Sequence, residues 1–239
     1  MKISRLPLLA AVIAALLLLS AGPGTRLGLW EYGTGFQLMR WAFFAGAGAA
    51  VLALVLLAIP RTRRNAASTL VLALVVGSVT AWVPWNGLQK VRSLPFIHDI
   101  TTDTRNPPEF VAVLPLRADA ANPPEYAGEE VAEQQREAYP EIEPLRAELS
   151  VDQAFELALA AARDQGWEIV AAVPEDGRIE ATDTTFWFGF KDDIVVRIRP
   201  DDGGSRIDVR SKSRVGRSDV GANAARISDY LEALEERLG

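Results

Sequence analysis

The only histidine of this 239-residue chain, His98, lies in the segment Phe96-Ile97-His98-Asp99-Ile100-Thr101-Thr102-Asp103-Thr104. An imidazole beside two carboxylates could relay a proton or take part in a divalent-ion site, so His98, Asp99 and Asp103 are the candidate catalytic residues. Zinc usually demands more nitrogen or sulfur donors, and no ligand motif of diagnostic spacing accompanies this histidine, so no metal is expected. The structural alternative is a histidine hydrogen-bonded to backbone or carboxylate where the surrounding tail docks on a domain. Other chemistries find less support. Gly216-Arg217-Ser218-Asp219-Val220-Gly221 is one residue too long for a nucleophile elbow, and Ser218 or Asp219 reads better as a helix cap. Phosphate-loop and dinucleotide glycine patterns are absent, so no cofactor is expected. The chain holds no cysteine, which removes disulfides and thiol chemistry.

A second group of residues is cationic. If Ile194, Val196, Ile198, Ile207 and Val209 face a core, then Arg197, Arg199, Arg206, Asp208, Arg210 and Lys212 point the other way, with Arg214 and Arg217 beyond. Such a patch near a helix N-terminus could hold a phosphate or carboxylate. The plainer reading is a solvated face of cross-strand pairs, because Glu168, Arg178 and Glu180 share that side.

The elements that would position these groups are legible in the last ninety residues. Ser150-Val151-Asp152-Gln153 is a capping box. It opens a helix whose buried stripe is Val151, Ala154, Phe155, Ala158 and Ala161, stopping at Gly166. Period-two alternations follow at Trp167/Ile169/Ala171/Val173, Ile179/Ala181, Ile194/Val196/Ile198 and Ile207/Val209, joined by turns at Pro174-Gly177 and Pro200-Gly204. A last helix begins near Asp219 with Val220, Ala224, Ile227, Leu231, Leu234 and Leu238 on one face. The expected domain is α+β, a two-layer sandwich of an antiparallel sheet covered on one face by two helices, the other face open.

The preceding stretch is Pro-rich and carries two echoes, Asn106-Pro107-Pro108-Glu109-Phe110 and Asn122-Pro123-Pro124-Glu125-Tyr126. Each reads as an extended arm ending in an aromatic anchor. Phe110-Leu116 could add a strand, and Glu129-Ala138 a short helix.

The N-terminal part is of another kind. Leu6-Ala21, Trp41-Ile59 and Thr69-Trp85 contain no charged side chain. Each approaches the ~20 residues a helix needs to cross the hydrocarbon core, so an α-helical transmembrane anchor of three spans is expected. Lys2, Arg5, Arg61, Arg63 and Arg64 place the N-terminus and the second loop in the cytoplasm, and counting crossings places the C-terminal domain outside. Trp30, Tyr32, Phe36, Trp82 and Trp85 suit the interfaces. The first span could instead be a cleaved signal peptide, which leaves the C-terminal side unchanged. Gly46-Ala47-Gly48 allows close helix approach, within the chain or between two copies. The organisation expected is residues 1–85 as anchor, 86–149 as tail and 150–239 as sandwich, with 86–239 one structural unit, in a multi-pass protein of the bacterial inner membrane with a periplasmic domain. Nucleic acid is an unsuitable partner for an acidic chain, of formal net charge -6, in that compartment.

The phrases HDITTDTRNPPEF, YPEIEPL, WFGFKDDIVVRIR and DVRSKSRVGRSDVGANAARI resemble the bacterial and plastid family known as domain of unknown function 1499, over His98 to Leu238. No activity comes with that resemblance. It implies that His98-Pro108 and Arg210-Arg226 form the signature, and that a site would lie where they meet. His98, Asp99 and Asp103 would give acid/base or hydrogen-bonding groups there, and Arg210, Ser211, Ser213, Arg214, Asp219, Asn223 and Arg226 the anion contacts. The alternative is that these polar pairs staple the tail to the domain. Three functions are therefore expected in order: a module binding an anionic lipid, wall fragment or envelope protein; a hydrolase or transferase using His98 and Asp103; and a subunit of a membrane complex.

Overall fold

Apolar runs of this length can satisfy their backbone groups in lipid only as helices. The computed structural model, which describes residues 3–238, has three of them. Helices α1 (Leu6–Arg26), α2 (Tyr32–Ala58) and α3 (Pro60–Ser93) are each long and apolar enough to cross a membrane. They outrun the apolar stretches that announce them. Of the residues between the first two apolar runs, only 27–31 lie outside helix, and α3 continues through Pro84 and past the third run to Ser93. The basic loop Pro60-Asn65 is itself helical: Ile59 is extended, the conformation a following proline favours, and Pro60 starts the next helix at the position where its missing amide costs nothing. Ala66 (φ -153°) kinks the helix after this basic turn.

Gly46 of α2 faces α3, where an added Cβ would come within 2.9 Å of the Gly77 carbonyl, whereas Gly48 has open space around it. The close approach foreseen for the small-residue cluster is thus used inside the chain. These helices form one compact unit together with the tetrapeptide Phe186–Gly189, and the rest of the chain from Ser93 forms another.

The second unit comprises β1 (Asp99–Thr101), α4 (Glu129–Ala138), β2 (Leu145–Ala147), α5 (Val151–Asp164), β3 (Glu168–Val173), β4 (Arg178–Thr184), β5 (Lys191–Asp201), β6 (Gly204–Ser213) and α6 (Ala222–Leu238). All pairings are antiparallel, in the order β1-β6-β5-β4-β3, with β2 also along β6. The α+β class is as expected. Ser150 Oγ accepts from the Gln153 amide (3.3 Å) while Gln153 Oε1 accepts from the Ser150 amide (3.2 Å), closing the capping box of α5. Gly166, at φ +78°, ends that helix in a conformation glycine adopts without strain. Phe155, Ala158, Ile179, Ile194, Val196, Ile198, Ile207, Val209, Ile227 and Leu234 fill the layer between the sheet and α5 and α6. Tyr230 stacks on Trp167 (4.8 Å between ring centroids), and its hydroxyl donates to the Ala158 carbonyl at 3.0 Å.

Four local expectations give way. Phe110-Leu116 is no strand: it turns into a 3-10 helix at Leu114–Arg117, since its amides are claimed by a carboxylate described below. A β-bulge after Ile169 shifts the register of β3, so Ala171 pairs with Glu180 and turns away from the helices. The last helix starts at Ala222, because Val220 (φ +55°) and Gly221 (φ +78°) are left-handed and interrupt it, while Asp219 accepts from the amides of Gly221 (2.8 Å) and Asn223 (3.1 Å) at its start. The sheet face opposite the helices is also not bare. Phe110 and Val113 pack there on Val195 and Val170, and Glu180, Asp208, Arg210 and Lys212 are buried.

Candidate functional site

Strand β1 is short, but its register against β6 joins the two segments singled out by sequence, pairing Asp99 with Lys212, Ile100 with Ser211 and Thr101 with Arg210. Because successive side chains on a strand alternate, the candidate residues separate onto two faces.

On the face away from the helices, Asp99 accepts from Arg210 Nε and Nη2, each at 2.9 Å, and from Lys212 Nζ at 2.9 Å. All three side chains are buried. Arg210 also donates to the carbonyls of Pro108 (3.1 Å) and Pro124 (2.8 Å), and its guanidinium lies 4.7 Å from the Phe110 ring centroid and 5.5 Å from that of Tyr126. The two Asn-Pro-Pro-Glu-aromatic echoes therefore do one job twice. In each, an extended Pro-Pro step turns a carbonyl onto the same guanidinium, and the aromatic two residues later covers it. Lys212 Nζ completes its shell on the Glu125 carbonyl at 2.6 Å. Burial lowers the pKa of Lys212, and the charge of Asp99 opposes that shift.

Further along this face, Asp193 accepts from Arg117 Nη1 (2.6 Å), Arg214 Nε and Nη2 (2.9 and 2.7 Å) and the Thr182 hydroxyl (2.7 Å). Glu180, wholly buried, accepts from the consecutive amides of Val111 (2.9 Å), Ala112 (2.8 Å) and Val113 (3.0 Å) and from Arg178. At the solvent-facing end, Asp103 accepts from Arg206 Nη2 (2.9 Å) and Arg197 Nη2 (3.2 Å), while its other oxygen holds the amides of Arg105 and Asn106. Asp208 binds Arg197, Arg199 and Arg206 from beneath. Here the arginines reach water: the Arg199 side chain is 40% exposed and that of Arg206 25%.

On the helix face, Arg226 of α6 donates to Asp183 (2.9 and 2.8 Å), Asp192 (2.7 Å), Ser211 Oγ (3.1 Å) and Asn223 Oδ1 (2.7 Å). Asn223 Nδ2 donates to Ser213 Oγ (3.0 Å) and to the His98 carbonyl (3.1 Å), and the Ser213 amide donates to that same carbonyl. His98 is half-buried. Burial lowers its pKa, the charge of Lys212 adds to the effect, and a backbone hydrogen bond at Arg217 opposes it. Burial also raises the pKa of Asp219, against the two amides its carboxylate accepts from.

The structure thus brings Asp99 to Arg210 and Lys212, and the His98 backbone to Ser213 and Asn223. It keeps Asp103 and Arg226 on different faces. Each arginine among the expected anion contacts meets a carboxylate of its own chain: Arg210 meets Asp99, Arg214 meets Asp193, and Arg226 meets Asp183 and Asp192. Sequence reasoning missed Asp193, Asp192 and Arg117 as partners. The signal available was the pair Asp192-Asp193 just ahead of an apolar strand, acids that registration places opposite Ser213 and Lys212. Among the described residues, no group of three or more histidine, cysteine or acidic side chains is arranged to hold a metal.

A family model described as protein of unknown function (DUF1499) matches residues 99–234. No curated protein matches the chain.

Proposed function

Since the chain belongs to the DUF1499 family of proteins of unknown function, we propose from its own geometry that the part beyond α3 is a non-enzymatic binding module. In this reading the three helices hold it at the bacterial inner membrane, N-terminus in the cytoplasm and module in the periplasm, where it takes an anionic group of a lipid, a wall fragment or an envelope protein. The observation that carries the reading is the arginine cluster at the solvent edge. Arg197, Arg199 and Arg206 share only Asp103 and Asp208, three formal positive charges against two negative. Arg199 approaches Asp103 only to 3.8 Å. An incoming phosphate or carboxylate can therefore take up guanidinium donors without uncovering a buried acid. The buried pairs deeper on the same face make a rigid backing for it.

The enzyme alternative asks His98 to work with Asp103, with Asp99 as the other candidate carboxylate. Asp99 already neutralises two buried cations, and Asp103 is committed to two arginines and two turn amides. Neither carboxylate is placed to accept a proton from substrate, which favours binding over catalysis.

The test is in-cell photocrosslinking from a reactive side chain at Arg199, with the exposed Glu232 of α6 as control. An adduct at position 199 that disappears in Arg206→Glu supports the reading and identifies the partner by mass. Equal adducts at both positions, or an adduct that survives the charge reversal, overturn it.

A further inference from the structure

The connection between β4 and β5 differs from the other hairpin tips of the sheet. Where those carry Glu175-Asp176-Gly177 and Asp202-Gly203, this one reads Thr184-Thr185-Phe186-Trp187-Phe188-Gly189-Phe190, seven residues without a charge. It is closed by the Thr185 amide donating to the Phe190 carbonyl (2.8 Å) and the Phe190 amide donating to Thr185 Oγ1 (2.9 Å), with Gly189 at φ +71° making the reversal. Phe186 is 87% exposed, more than any other large apolar side chain described, and Trp187 is 37% exposed.

Phe186–Gly189 belongs to the compact unit of the three helices, and its neighbours there are residues of the last turns of α1 and the first turns of α2. The Phe188 ring lies 5.1 Å from that of Phe36, Trp187 lies against Gly22, and Arg26 Nη1 donates to the Phe186 carbonyl at 2.7 Å. Trp30, which donates from its indole to the Ala21 carbonyl at 3.2 Å, stands in the α1–α2 turn with Leu27 and Leu29, both exposed, and Tyr32 opens α2 directly after it. A ring of tryptophan, tyrosine and phenylalanine with a basic residue at a helix end is the composition found where spans leave the hydrocarbon.

From this we infer that the Phe186-Trp187-Phe188 tip is a membrane-interface anchor, seated in the headgroup and upper acyl region at the bilayer face that receives the α1–α2 turn. The occupant of the exposed Phe186 face is lipid, because the tip is continuous with helices that are long and apolar enough to cross a membrane. This inference is independent of the arginine cluster.

The absence of cysteine gives a clean test, since Phe186→Cys supplies a unique thiol. The full chain, labelled there with an environment-sensitive fluorophore, is placed in lipid nanodiscs containing nitroxide lipids of either shallow or deep label position. The control is Asp202→Cys, on the exposed β5–β6 turn. Phe186 packs on little, so its replacement leaves the fold intact. The expected result is emission blue-shifted from the control, strongly quenched by the shallow nitroxide and weakly by the deep one. Emission and quenching equal to the control overturn the inference, as does quenching dominated by the deep nitroxide.

Discussion

Arg210 and Lys212 both depend on one carboxylate, and that asymmetry orders their mutants. Asp99→Ala strands two buried cations, whereas Arg210→Met leaves Asp99 its bond to Lys212. Breaking a buried pair costs about 3–5 kcal/mol, so Asp99→Ala should fall in that range and Arg210→Met clearly below it, read from denaturant midpoints of the full chain in detergent. Two other groups give stability a dependence on pH. His98 is held below its ordinary 6.5, so the unfolded chain takes up its proton first and stability falls as pH drops below 6.5 toward the folded value. Asp193 is also lowered: burial opposes the shift, but hydrogen bonds from Arg214 and Thr182 and the charge of Arg214 outweigh it. Its contribution is complete above 3.8 and is lost as pH falls through the folded value. Thermal unfolding against pH should therefore show two limbs, with His98→Gln flattening the one just below neutrality and Asp193→Asn the one in strong acid.

At the scale of elements, the irregular segment from Phe110 to Arg117 takes its shape from Glu180, whose carboxylate gathers three successive amides. Glu180→Ala should leave β4 in place and release that segment, seen as faster hydrogen exchange at Val111, Ala112 and Val113 with little change at Ile179 or Ile194. The same interaction explains which parts of the fold were legible in the sequence. Helix α5, the strands after it and α4 follow from local signals: a capping box, alternation, turn glycines and an amphipathic stripe. Phe110-Leu116 has the composition of a strand, and only a distant acid, 67–69 residues away, overrides it. The candidate site was legible to the same degree. Pairing of His98-Pro108 with Arg210-Arg226 was expected and occurs through β1, but the acids that meet Arg214 and Arg226 sit on β4 and β5. The covering of the second sheet face was missed for a related reason. Alternation reports that Arg210 and Lys212 leave the apolar core, and it cannot distinguish water from proline carbonyls as their destination.

For the whole molecule, the basic turn Arg61-Arg64 and the sheet domain should lie on opposite sides of the bilayer if the positive-inside distribution governs insertion. Single cysteines at Arg63 and Asp202 in the cysteine-free chain test this with a membrane-impermeant maleimide on intact spheroplasts. Labelling at 202 alone is expected, and labelling at 63 alone would invert the topology. A different consequence follows from the arm that supplies β1 and β2. Both lie along the side of β6 that β5 leaves free, at Arg210-Lys212 and Ser205-Ile207. Without them the ten-residue β6 would be an outermost strand with unpaired amides and carbonyls, a template for the same strand of another molecule. The arm thus keeps each copy from recruiting its neighbours, and a chain trimmed to start at Ser150 would be prone to assemble through its sheets.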